Sequence, residues 1–148
     1  MNILHRSIIC LFSNQTFNDK LFLVQLLRAN GCHVIGIDIN HARLKLALEF
    51  GAEVIHGTEC TDVAAKVASL TGMRGADAVL ITASTKSDAI ISQSAKMCRK
   101  RGRIVLIGVV GLNISRSDFY EKEISFRVSC SYGRGSSLKS LPGSARNS

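Results

Sequence analysis

No glycine precedes Gly31 in this chain. A glycine-rich turn, which lets backbone N–H groups approach a phosphate, is therefore excluded from the first thirty residues. The five cysteines (Cys10, Cys32, Cys60, Cys98 and Cys130) are odd in number, far apart and never spaced C-x-x-C. That excludes a disulfide framework and a zinc ribbon, and leads us to expect small core thiols in a reducing cytoplasm. No apolar run approaches the ~20 residues of a membrane span, and Ser7 to Phe12 is too short for a signal-peptide core. No membrane partner is expected. The only proline, Pro142, lies near the end.

Catalytic patterns are missing too. His5, His33, His41 and His56 lack metal-ligand spacing. Tyr120 and Tyr132 lack a Tyr-x-x-x-Lys partner, and Ser84, Ser92 and Ser94 have no nucleophile elbow. No catalytic residue and no zinc are expected. Formal net charge is +8, which by itself suggests nucleic acid. Yet the basic residues are dispersed, and the one tight group, Arg99-Lys100-Arg101, reads as a helix end where cations offset the helix dipole. Nucleic acid is not expected as a partner.

What the chain does have is alternation. Apolar runs at Ile8–Phe12, His33–Asp38, Glu53–His56, Ala78–Thr82, Arg103–Gly108 and Ile124–Cys130 read as strands. Most are rich in Val and Ile, as suits strands buried on both faces of a parallel sheet. Helical patterns lie between them at Asp19–Ala29, His41–Phe50, Thr61–Leu70 and Ser87–Arg101. Gly31, Gly51, Gly72 and Gly102 follow these as left-handed stops. The pattern predicts an α/β fold, a doubly wound parallel sheet of six strands in order 3-2-1-4-5-6, the Rossmann arrangement. The link from Val109 to Glu123 shows no clear helix. We expect one domain over residues 1–132, atypical over 1–20, and a flexible tail over 133–148, which is rich in serine and glycine.

In "HVIGIDINHARLKLALEFGAEVI" a strand ends in Asp38 before a helix. A carboxylate there can accept both hydroxyls of an adenosine ribose, or can simply cap the helix. Arg43 can lie over an adenine or be a solvated helix cation. The glycine positions of a phosphate turn fall near Gln15, Phe17 and Lys20, and Thr16 with Asp19 resembles a capping box. These side chains can satisfy the helix N-terminus that a pyrophosphate would use. Thr82, Ala83 and Ser84 end the fourth strand; Ile107, Gly108 and Val109 end the fifth. They either border adenine and nicotinamide or are ordinary strand-end turns.

From about Leu23 to Tyr132 the chain resembles the nucleotide-binding domain of medium-chain, zinc-type alcohol dehydrogenases. "VQLLRANGCHVIGIDINHARLKLALEFGAEVI", "GADAVLITAST", "RKRGRIVLIGVVG" and "FYEKEISFRVSCSYG" carry the resemblance. The last is closest to the dehydrogenase half of two-part oxidoreductases with a glucose–fructose oxidoreductase-type second domain. The resemblance implies NAD as cofactor, with Asp38 at its ribose and Arg43 at its adenine. It further implies Thr82, Ala83, Ile107, Gly108 and Val109 as pocket backbone. It ends abruptly on both sides, so the expectation is a truncated or frame-shifted reading frame. Such a chain, without the family's zinc-bearing catalytic domain, would be inactive alone and would need that domain or a second copy as partner. A nucleotide-sensing module without turnover and a methyltransferase are the alternatives.

Overall fold

The computed structural model describes residues 6–11, 17–83, 85–108 and 110–129, with the backbone alone for 17–20. The elements are β1 (Ser7–Leu11), α1 (Phe17–Ala29), β2 (His33–Asp38), α2 (His41–Glu49), β3 (Glu53–His56), α3 (Val63–Leu70), β4 (Ala76–Ile81), α4 (Ala89–Met97), β5 (Cys98–Leu106), α5 (Arg116–Tyr120) and β6 (Ser125–Val128). All five neighbouring pairs are parallel, in the order β3-β2-β1-β4-β5-β6. The expected topology is therefore the observed one. Residues 130–148, with Cys130, lie outside the described residues, as do residues 12–16.

Strand periodicity divides the core. Ile9 and Leu11 of β1 join Ile35, Ile37, Val79 and Ile81 under α3 and α4. Cys10 turns the other way and joins Val24, Val34 and Ala47 under α1 and α2. Burial pushes the thiols of Cys10 and Cys98 up to about 12, so they act as apolar core groups.

Asn40 caps α2 by accepting from the Arg43 N–H, and Asp62 caps α3 by accepting from the Ala65 N–H. Gly31, Gly51 and Gly72 adopt positive φ after their helices, as expected; Gly75 does so as well.

Gly102 corrects the reading made of it. It stops no helix: α4 ends at Met97, and Gly102 lies inside β5 without a positive φ. A Cβ there would sit 2.9 Å from the Arg99 carbonyl oxygen, and that close approach is what requires glycine. Residues 99–102 of β5 oppose Asp77 alone, because Cys98 pairs with Ala76 and Arg103 pairs with Ala78. The result is a bulge, in which Arg101 takes a left-handed φ of 62°.

The Arg99-Lys100-Arg101 group therefore does not end a helix. Arg99 Nε pairs with Asp77 Oδ1 at 2.6 Å, and Arg101 Nε pairs with Glu123 Oε2 at 3.0 Å. The last turn of α4 carries Lys96, and Lys122 caps its end from outside, its Nζ donating to the carbonyls of Ala95, Lys96 and Cys98 at 3.0–3.1 Å. The 109–123 link does carry a short helix, α5; five residues are too few to show a period in sequence.

Candidate functional site

In a doubly wound sheet the ligand crevice lies beyond the carboxyl ends of the strands, where the order reverses. Here that point is between β1 and β4. Two groups of expected residues reach this edge, Asp38 with Arg43 and the ends of β4 and β5.

Asp38 closes β2 and its side chain is fully buried. Its Oδ1 accepts the backbone N–H groups of Ile39 at 2.7 Å and Asn40 at 3.1 Å, and Arg43 Nη2 at 2.9 Å. Its Oδ2 accepts Arg43 Nε at 2.5 Å. Asp38 is thus not the helix cap; Asn40 is. Nor is Arg43 a solvated cation, since its side chain is only 16% exposed and grips the carboxylate with two donors. Burial alone would raise the Asp38 pKa. The Arg43 guanidinium and the two backbone N–H groups outweigh it and hold the carboxyl below its ordinary range.

At the rim, Thr82 anchors the end of β4 to β1: its N–H and its hydroxyl both donate to the Leu11 carbonyl, at 3.0 and 2.6 Å. The N–H groups of Ile107 and Gly108 both donate to the Ile81 carbonyl at 2.9 Å. A Cβ on Gly108 would lie 2.0 Å from the Ala83 carbonyl oxygen, so the ends of β4 and β5 touch backbone to backbone there. Ala83 is buried beneath, while Ile107 faces out. Ser84 and Val109 lie outside the described residues.

Sequence reasoning missed one cluster at this edge. His41, His56 and Glu59 present side-chain atoms within 4.8 Å of one another. Their wide separation in the chain hides them; they meet because the start of α2 lies beside the end of β3. The imidazoles stack at 4.3 Å, and His41 Nε2 lies 2.8 Å from Glu59 Oε1. The N–H groups of Thr58 and Glu59 point at His56 Nδ1, at 3.4 and 3.1 Å. That nitrogen is therefore an acceptor, and Nε2 carries the proton. A metal ligand needs the lone pair that this proton occupies, so the trio as arranged does not fit a zinc ion.

Asp77, at the opposite edge, resembles Asp38 in its electrostatics. Burial would raise its pKa, but Arg99, the Ser7 N–H and Arg74 hold it below the ordinary range. Both carboxyls take up protons less readily folded than unfolded. As pH falls, the unfolded chain binds protons first, near pH ~4. The stability they contribute is full above that range and is lost as pH falls through their folded pKa values. Asp77→Asn should lower stability at neutral pH and flatten its fall below about pH 4, read by urea unfolding at each pH. An unchanged acid slope would refute this assignment.

A strand–helix repeat of this order with an acid ending its second strand defines a Rossmann-type nucleotide-binding domain. The family model for zinc-binding dehydrogenases matches residues 21–142, and the chain belongs to that family. It is 37% identical over 90 residues to L-threonine 3-dehydrogenase of Bacillus licheniformis, covering 60% of this chain and 25% of that protein. The structure resembles a putative alcohol dehydrogenase of Sinorhizobium meliloti at TM-score 0.74 and 27% identity, over 97% of this chain and 41% of that one. It shares its fold with 2R,3R-butanediol dehydrogenase of Bacillus subtilis at TM-score 0.76 and 20% identity, over 93% and 39% respectively. The chain thus spans about a quarter of the curated relative and about two fifths of these structures. Among the described residues, no helix is long and apolar enough to cross a membrane.

Proposed function

We propose that this chain is the NAD-binding part of a zinc-type alcohol dehydrogenase-like oxidoreductase, and that it holds mainly the adenosine half of the cofactor. The observation that carries this reading is the buried, ionised Asp38 at the end of β2 with Arg43 folded over it. Ribose hydroxyls reach this carboxylate when Arg43 turns outward, which places its guanidinium beside the adenine face. Asp38 then accepts the two hydroxyls while keeping the N–H groups of Ile39 and Asn40. Thr82 and Ala83, with Ile107 and Gly108, border the rest of the ligand through their backbone. NAD supplies a hydride acceptor when bound. In this reading the group that polarises a substrate carbonyl comes from a catalytic domain or a partner chain.

Without glycine before Gly31, the pyrophosphate gains little from the start of α1. AMP, ADP-ribose and NADH should therefore bind with similar, weak affinity in calorimetric titrations. Sub-micromolar NADH binding far tighter than AMP would overturn the adenosine-half reading.

A further inference from the structure

At the amino-terminal edge of the sheet, opposite Asp38, the starts of β1, β4 and β5 enclose a cleft of about 330 Å³. Arg6, Arg99, Arg101 and Arg103 line it, and among the described residues Asp77 is its only acid. The bulge in β5 explains how three arginines from one strand meet there. Residues 99–102 loop out against Asp77, and Gly75 pins the loop: a Cβ on Gly75 would sit 2.9 Å from the Arg99 nitrogen.

The charge in this cleft is not cancelled. The Asp77 carboxylate already accepts the Ser7 N–H at 2.7 Å, Arg99 Nε at 2.6 Å and Arg74 Nη2 at 3.1 Å. Arg101 spends its charge on Glu123, outside the cleft. Arg6 and Arg103 have no acidic partner among the described residues. Two exposed guanidinium groups thus face a cleft beside a third, which Asp77 holds in place. Planar, forked donors of this kind match tetrahedral oxyanions.

We propose that this cleft binds a compact oxyanion of the phosphate or pyrophosphate class, with Arg6 and Arg103 as the binding groups and Arg99 held by Asp77 as a fixed third donor. Inorganic pyrophosphate is the probe, titrated by calorimetry into the full chain at about 50 mM and about 200 mM salt. Arg6→Gln with Arg103→Gln should weaken binding about tenfold or more. Lys45→Gln with Lys66→Gln, on the exposed surfaces of α2 and α3, removes the same charge and should change it less than about twofold. Lys20→Gln, in the first turn of α1, should leave it unchanged. Arg101→Gly relieves a left-handed residue and removes only the cation that Glu123 already pairs, so it should stay folded and change binding less than about twofold. Circular dichroism on each sample confirms folding. Equal losses in both double variants, loss confined to Lys20→Gln, or no pyrophosphate binding by the parent chain would each overturn the proposal.

Discussion

Gly108→Ala is expected to destabilise the domain by about 3 kcal/mol, the upper part of the range for overpacking, because the added atom runs into main chain rather than a side chain. Its Cβ would fall 2.0 Å from the Ala83 carbonyl oxygen and 2.9 Å from the Thr82 carbonyl carbon. No rotamer change relieves a clash with main chain. The ends of β4 and β5 would have to part, breaking the bonds from Ile107 and Gly108 to the Ile81 carbonyl. Small domains have ~5–15 kcal/mol in total, so the loss is a large share. Gly57→Ala is the control, since its Cβ would meet nothing closer than 3.5 Å. Urea unfolding of both variants decides the matter. If Gly108→Ala matches the parent chain, the backbone contact is wrong, and so is the rim built on it.

Asp38→Ala should act on both stability and ligand choice. The variant strips acceptors from the N–H groups of Ile39 and Asn40 and takes the carboxylate away from Arg43 in a largely buried position. The expected loss is about 2–3 kcal/mol, below the figure for a fully buried pair because Arg43 can turn toward water. Binding of ADP-ribose should weaken by a further ~1.5–3 kcal/mol, the value of a charge-assisted hydrogen bond. The 2′-phosphorylated analogue should lose less or gain, since the repelling carboxylate is gone and Arg43 is released. Calorimetry with the two ligands reads the ratio. An unchanged preference would reduce Asp38 to a turn residue.

The sequence showed most plainly those parts of the molecule whose causes are local. β2 and β3 fall on their apolar runs, and α2 stops before Gly51, though its cap is Asn40 where the sequence offered Asp38. The strand order is the doubly wound one that six strands alternating with helices fit. The errors lie where distant residues decide. Arg99 to Arg101 looked like a basic helix end, yet Lys122 holds that end and Asp77 draws Arg99 into β5. At the site, Asp38 and Arg43 were both visible, but the grip of one on the other was not, because a five-residue spacing fits a helix cap, a free cation or an ion pair. His41, His56 and Glu59 come from two crossover units, and only the adjacency of β2 and β3 unites them.

The position of β1 also governs how this chain must fold. Among the described strands of this sheet it comes first in sequence, and with β4 it forms the centre, flanked by β2 on one side and β4 on the other. Ile8 pairs with Val34, but also with Ala78, 70 positions later. Contacts of such separation are slow to form, because the chain surrenders loop entropy before the pairing rewards it. During synthesis Ile9, Cys10 and Leu11, all buried at the end, stay bare along one edge until β4 has emerged. Of the seams among β3, β2, β1 and β4, the central one between β1 and β4 is thus the last to close, and the nascent chain carries an apolar strand edge open until then.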